Sequence, residues 1–257
     1  MQFWQDLPDA VRYSIAFLVP LVATLALTPV ASRLAHRYQV IDHPTEPGAT
    51  HKTHGHATPY LGGLAVGASM AGIGLMLAGA NGQLLTILGC AAMLAFVGLA
   101  DDVQTVNPWI RLGFEAAAAI ALWSVGVRAG AFETVRLDLP LTVLWVVAVV
   151  NAFNMIDNMD GVASGVAAAS ATGIAVIAAY DGDFLVASLA LATAGAAIGF
   201  LRYNAPPASI FLGDAGSMLL GFLIASLTLE LDLPVGSVPP RVLSTVLLAA
   251  VPFFDLF

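Results

Sequence analysis

Apolar runs of about 20 residues, long enough to cross about 30 Å of hydrocarbon as α-helix, recur along the chain between short polar breaks. They fall at about 13–34, 61–80, 83–100, 109–127, 140–156, 163–180, 184–201, 215–229 and 241–257. Gly, Ala and Ser are frequent within them, as expected where helices in lipid associate through close backbone packing. The short alternating strands of an outer-membrane barrel are absent from the pattern. The pattern predicts an all-α fold: a polytopic transmembrane helical bundle of about nine spans, forming one integral-membrane domain over residues 1–257.

Composition sharpens that picture. The chain has 257 residues, 59% hydrophobic and only 10% charged, with a mean hydropathy of +0.87. Soluble domains carry about 25% charged residues, so no soluble module is expected. The single cysteine, Cys90, lies inside an apolar run, which rules out a disulfide framework and suits a small hydrophobe in helix packing. The opening MQFWQDLPDA has no basic stretch of the signal-peptide kind, so the first apolar run reads as a retained span.

Span parity organises the polar segments. If the first span ends on side A at Arg33 and Arg37, the polar connection 35–60, which holds all five histidines, is also on side A. Successive pairs of spans then return the chain to side A at Asp101–Asp102, at 151–161 and at 202–213. The opposite connections (81–82, 128–139, 181–183 and 230–240) read as simple turns and short loops. Lys and Arg number five on side A (33, 37, 52, 111, 202) and four opposite (12, 128, 136, 241), so the positive-inside rule leans only slightly toward a cytoplasmic side A.

Four polar clusters share that side. In GLADDVQTVNPWIRLGFE, 98–115, the adjacent carboxylates of Asp101 and Asp102 repel each other unless a cation is near; a carboxylate so held can act as a base. Arg111 stands one turn before Glu115 and can pair with it. In NAFNMIDNMDG, 151–161, Asn151, Asn154 and Asp157 step around a helix by about 60° each, making a broad polar face before Asp160-Gly161 breaks the chain. A helix cap needs one such residue, and polar groups at membrane depth usually face a cavity. In RYNAPPASIFLGDAGSMLLGF, 202–222, Gly213-Asp214 opens a helix whose backbone N–H groups can approach phosphate while the carboxylate holds Mg²⁺; a plain cap is the duller reading. In HKTHGHATPYLGG, 51–63, Lys52, His54 and their neighbours can face an anion; a zinc site would lack cysteine or regular acidic partners.

Hard oxygen ligands without thiolates suit Mg²⁺ or Mn²⁺, and Mg²⁺ is usually held by one or two carboxylates plus substrate phosphate. The clusters therefore point to a phosphate-handling membrane enzyme. The four motifs, in this order, resemble those of the polyprenyl-phosphate N-acetylhexosamine-1-phosphate transferases (glycosyltransferase family 4), which include the phospho-N-acetylmuramoyl-pentapeptide transferases. The resemblance implies transfer of a sugar 1-phosphate, with N-acetylglucosamine favoured, from a UDP-sugar to a membrane polyprenyl phosphate, with release of UMP.

Carried over residue by residue, the resemblance makes Asp214 a Mg²⁺ ligand and Asn154 a second contributor. Asp101, with Asp102 beside it, would deprotonate or position the lipid phosphate. Asn151, Asp157, Asp160 and Asn204 would line the nucleotide-sugar site, and Lys52 and Arg111 would meet phosphate charge. The expected setting is the cell (inner) membrane with the site on its cytoplasmic face. No nucleic acid partner is expected, and a homodimer is allowed. His51, Tyr60, Asn158 and Arg111 depart from the residues common in that family. The family also continues past a stretch like VPFFD, 251–255, to a loop rich in His and Arg, so a chain that stops at Phe257 reads as truncated. An ion or solute transporter is the alternative from another class, although transporters place acids near span centres. CDP-alcohol phosphotransferases also use Asp-Gly stretches, but the Arg and later paired aspartates of their motif are missing.

Overall fold

The computed structural model describes residues 7–42, 57–79, 81–130 and 134–231. Within them the chain forms eight helices: α1 Asp9–Tyr38, α2 Gly62–Ala78, α3 Gly82–Val103, α4 Pro108–Ser124, α5 Val135–Ile156, α6 Val162–Tyr180, α7 Phe184–Asn204 and α8 Gly213–Glu230. Each coincides with one of the first eight expected spans. The ninth, at 241–257, lies outside the described residues. Five helices (α1, α3, α5, α6 and α7) are long and apolar enough to cross a membrane. α2 and α4 have 17 residues each and α8 has 18.

Local chemistry explains the helix starts. The Asn81 side chain accepts from the Leu84 N–H to open α3, and Asn107 accepts from the Trp109 N–H to open α4, with Pro108 in the first turn. Asp183 accepts from the N–H groups of Leu185 and Val186 to open α7. These bonds satisfy amides that have no partner inside the helix. α5 begins at Val135, ahead of the expected 140, and carries Pro140 within it. Its first turn is anchored where the Trp123 indole N–H donates to the buried Asp138.

One element falls outside the all-α expectation. β1 (Ile41–Asp42) and β2 (Thr58–Pro59) pair antiparallel, Ile41 with Pro59 and Asp42 with Thr58. The pair draws together the two ends of the long side-A connection, and the Phe211 N–H extends it by donating to the Pro59 carbonyl at 2.8 Å.

α8 is the axle of the bundle. It packs against α3 and α5, and also touches α2, α6 and α7; every residue from Ala215 to Leu229 is buried. A helix apolar all round belongs in an interior. At the periphery α1 lies along α7, and α6 along α7. The α1–α7 seam depends on Gly195, where an added Cβ would lie 2.2 Å from the Phe17 carbonyl oxygen. The obstacle is backbone, which no rotamer change can clear. Gly195→Ala is therefore expected to lower the thermal unfolding midpoint in detergent, by about 1–3 kcal/mol of overpacking; an unchanged midpoint would show that the seam yields.

Candidate active site

The polar ends predicted to share side A meet in space. Asp101, at the end of α3, accepts through Oδ1 from the Val106 N–H (2.6 Å) and through Oδ2 from Arg111 Nη1 of α4. The same Nη1 lies 3.3 Å from Asp214 Oδ2 on α8, and Arg111 Nη2 donates to Asn154 Oδ1 on α5 at 3.0 Å. Asn154 closes the ring by donating through Nδ2 to Asp214 Oδ1 and to Ser217 Oγ. Four helices thus converge on one guanidinium. Accessibility is graded within the ring: the side chains of Asp101, Arg111 and Asp214 are 8%, 16% and 31% exposed, so Asp214 faces outward most.

Asp102 plays a different part from its neighbour. Its Oδ1 accepts from the Asp214 N–H at 2.8 Å and its Oδ2 from the Ala215 N–H at 3.1 Å. α8 has no side-chain cap of its own; α3 supplies one, with a carboxylate at the positive end of the helix dipole. The expectation that these amides approach phosphate is corrected here, because Asp102 already occupies them. The close fit needs two glycines. A Cβ at Gly98 would lie 2.3 Å from the Asp214 carbonyl oxygen, and Gly213 holds φ +75° against Asp102 and the Tyr60 carbonyl.

Asp157 follows the end of α5 in the turn that leads to α6. Burial pushes its carboxyl well above the usual range, and the charges of Asp214 and Asp102 push the same way, against the opposing Gly213 N–H. Asp101 and Asp214 flank the Arg111 guanidinium, while Asp102 and Asp157 lie within electrostatic reach of Asp214.

Asp160 and Asn204, expected to line the site, tie its loops together. Asp160 Oδ2 accepts from the Ala208 N–H at 2.8 Å. Asn204 is 2% exposed; its Oδ1 accepts from the Gly161 N–H and Ser164 Oγ, and its Nδ2 donates to the Ile210 carbonyl. These bonds clamp the 157–161 turn to the connection entering α8. Asn151 sits one helical turn deeper than Asn154, donating to Glu115 Oε2 (2.6 Å) and to the Val147 carbonyl. Lys52 and His54 lie outside the described residues.

Two residues that support the site from outside it are not among those the motifs single out. Ser217 stands one turn after Asp214, a spacing that could have flagged it. Glu115 was noted only as a partner for Arg111; it is fully buried and bonds Asn151 across the helix pair. Among the described residues no group of three or more His, Cys, Asp or Glu is arranged to hold a metal. A site of one or two carboxylates completed by substrate phosphate does not need such a group.

Comparison with known proteins adds a family. The sequence profile of glycosyl transferase family 4 matches residues 84–232. A Bacillus subtilis (strain 168) protein named as a probable undecaprenyl-phosphate N-acetylglucosaminyl 1-phosphate transferase is 32% identical over 95% of this chain and 70% of its own length. A phospho-N-acetylmuramoyl-pentapeptide-transferase of Clostridium botulinum (strain Alaska E43 / Type E3) is 28% identical, covering 85% of this chain and 74% of that protein. One of the same name from Mycolicibacterium gilvum is 33% identical over 83% and 75%.

Proposed function

The chain belongs to glycosyl transferase family 4, and from that premise we propose that it transfers an N-acetylhexosamine 1-phosphate from a UDP-sugar to a membrane polyprenyl phosphate, releasing UMP. N-acetylglucosamine is the favoured sugar, in keeping with the name of the Bacillus subtilis relative. The observation that carries the reading is the meeting of Asp101, Arg111, Asn154 and Asp214 from four helices at one end of an apolar bundle. One substrate can reach such a site from water and the other from lipid.

A phosphate oxygen of the lipid would attack the β-phosphorus of the nucleotide sugar, and the bond to the α-phosphate would break with UMP leaving. Phosphoryl transfer of this kind needs in-line positioning and neutralisation of oxygen charge more than covalent help from the protein. Asp101, itself held by Val106 and Arg111, would position the lipid phosphate or take its proton. Arg111 would meet phosphate charge, and Lys52 and His54 are assigned there on their motif alone. Asn151 and Asp157 would line the nucleotide-sugar site, while Asp102, Asp160, Asn204 and Gly213 hold its walls in place.

The Asp214 carboxylate and the Asn154 amide oxygen meet at Arg111, and hard oxygen donors of this kind, completed by substrate phosphate, fit a divalent cation. Asp214 and Asn154 would hold Mg²⁺, or Mn²⁺ in its place. When bound, the metal would neutralise charge on the transferring phosphates. In this reading residues 1–257 belong to one membrane domain, with α2, α4 and α8 crossing alongside the five longer helices. The site faces the cytoplasm of the inner membrane, where soluble nucleotide sugars are found. Family membership favours transfer over transport.

The test is transfer of radiolabelled sugar phosphate from UDP-N-acetylglucosamine to polyprenyl phosphate by purified protein. Lipid-linked product is expected with Mg²⁺, falling to background with EDTA. Absence of product with several UDP-sugars offered would overturn the reading.

A further inference from the structure

Arg111 occupies both groups assigned to the metal. Its Nη1 lies 3.3 Å from Asp214 Oδ2, and its Nη2 takes Asn154 Oδ1, the oxygen that Asn154 would offer to a cation. A divalent cation and a guanidinium cannot share these oxygens at close range, because their mutual repulsion is poorly screened away from water. Metal binding therefore requires Arg111 to withdraw from both, with Nη1 kept on Asp101 and the freed Nη2 in need of another partner.

One is built in. Glu115 stands four residues along α4 from Arg111, the spacing at which helix side chains are neighbours, and within electrostatic reach of it. Glu115 is 0% exposed; Asn151 fixes its Oε2 at 2.6 Å, and its Oε1 is buried without a hydrogen-bond partner. An unsatisfied carboxylate oxygen inside an apolar bundle is costly, so its presence calls for a function. Among the described residues, the other such carboxylate oxygen is Asp138 Oδ1, on the first turn of α5 at the far end of the bundle.

We propose that Glu115 is a positioning residue, the buried second station to which the Arg111 guanidinium moves when a divalent cation takes Asp214 and Asn154. The inference rests on the proposed metal site. In this arrangement Glu115 touches neither substrate nor metal; it holds Arg111 off the cation's ligands until substrate phosphate draws the guanidinium back, and so sets how strongly Arg111 competes with the cation.

Mn²⁺ binding to the purified protein, followed by electron paramagnetic resonance, tests this directly. Glu115→Gln keeps the shape and an acceptor for Asn151 but removes the charge, and Glu115→Leu removes both. Each is expected to weaken Mn²⁺ binding about 5-fold or more, within the usual range of coupling between sites. Turnover at saturating Mg²⁺ should stay within about 2-fold, because the effect lies in metal affinity and not in the transfer step. In an Arg111→Ala background, Glu115→Gln should no longer change Mn²⁺ affinity, since its effect runs through the guanidinium. Wild-type affinity in Glu115→Gln, or equal weakening with and without Arg111, would overturn the inference alone. Mn²⁺ binding to the wild type that is absent, or indifferent to Asp214→Ala, would overturn the metal reading and this inference together.

Discussion

Asp214→Ala is expected to reduce transfer by about 10³-fold or more, the scale seen when a principal electrostatic group is removed from an active site, while leaving the fold at least as stable as before. Asp214 is more exposed than Asp101 and Arg111, it is bonded by Asn154, and it lies beside Arg111. Its removal takes away the main carboxylate proposed for the metal. It also relieves repulsion, because Asp101, Asp102 and Asp157 all lie within electrostatic reach of Asp214. A functional site of this kind carries a stability cost, so the thermal midpoint of the variant should be unchanged or higher. A variant that is inactive because it has unfolded would contradict the assignment, and one that keeps most of its activity would remove Asp214 from the metal site.

Asp102→Ala should fail in the opposite way, losing activity and stability together. The Asp102 carboxylate accepts from the N–H groups of Asp214 and Ala215. Without it, both amides at the start of α8 lose their partner, at about 1–3 kcal/mol for each buried unsatisfied group. The first turn of α8 carries Asp214, so fraying there displaces the ligand itself. Transfer is expected to drop about 10²-fold, in the range found when a catalytic group is misplaced by about 1 Å. Asp102→Asn should be intermediate in both respects, since an amide offers one accepting oxygen and turns its own N–H groups toward the second backbone donor. Melting curves beside transfer rates, over wild type, Asn and Ala, give the reading. Full stability with lost transfer in Asp102→Ala would mean that Asp102 works in the chemistry and not as the cap of α8.

The two aspartates show how far the chain could be read without its fold. DD at the end of a span announced charge that must be compensated, and the structure compensates each carboxylate separately: Asp101 through Arg111 and Val106, Asp102 through the start of α8. Asn204 was placed near the site by its motif, but its role in joining two connections became visible only with Gly161, Ser164 and Ile210 around it. Glu115 offered one hint, its spacing from Arg111. Its burial and its unpartnered oxygen follow from the packing of α4 on α5.

What the sequence determined by itself is the set of helices and the side on which their polar ends gather. Lipid permits only long apolar runs with satisfied backbone, so hydropathy locates the spans and parity sorts the connections. Tertiary structure alone decided which partner each polar group meets. Adjacent residues on a helix point about 100° apart, so neighbours such as Asp101 and Asp102 address different helices. Which helices those are depends on the rotation and depth of α3 within the bundle. That rotation is set by close contacts such as Gly98 against the Asp214 carbonyl, between residues far apart in the chain that hydrophobic periodicity cannot pair.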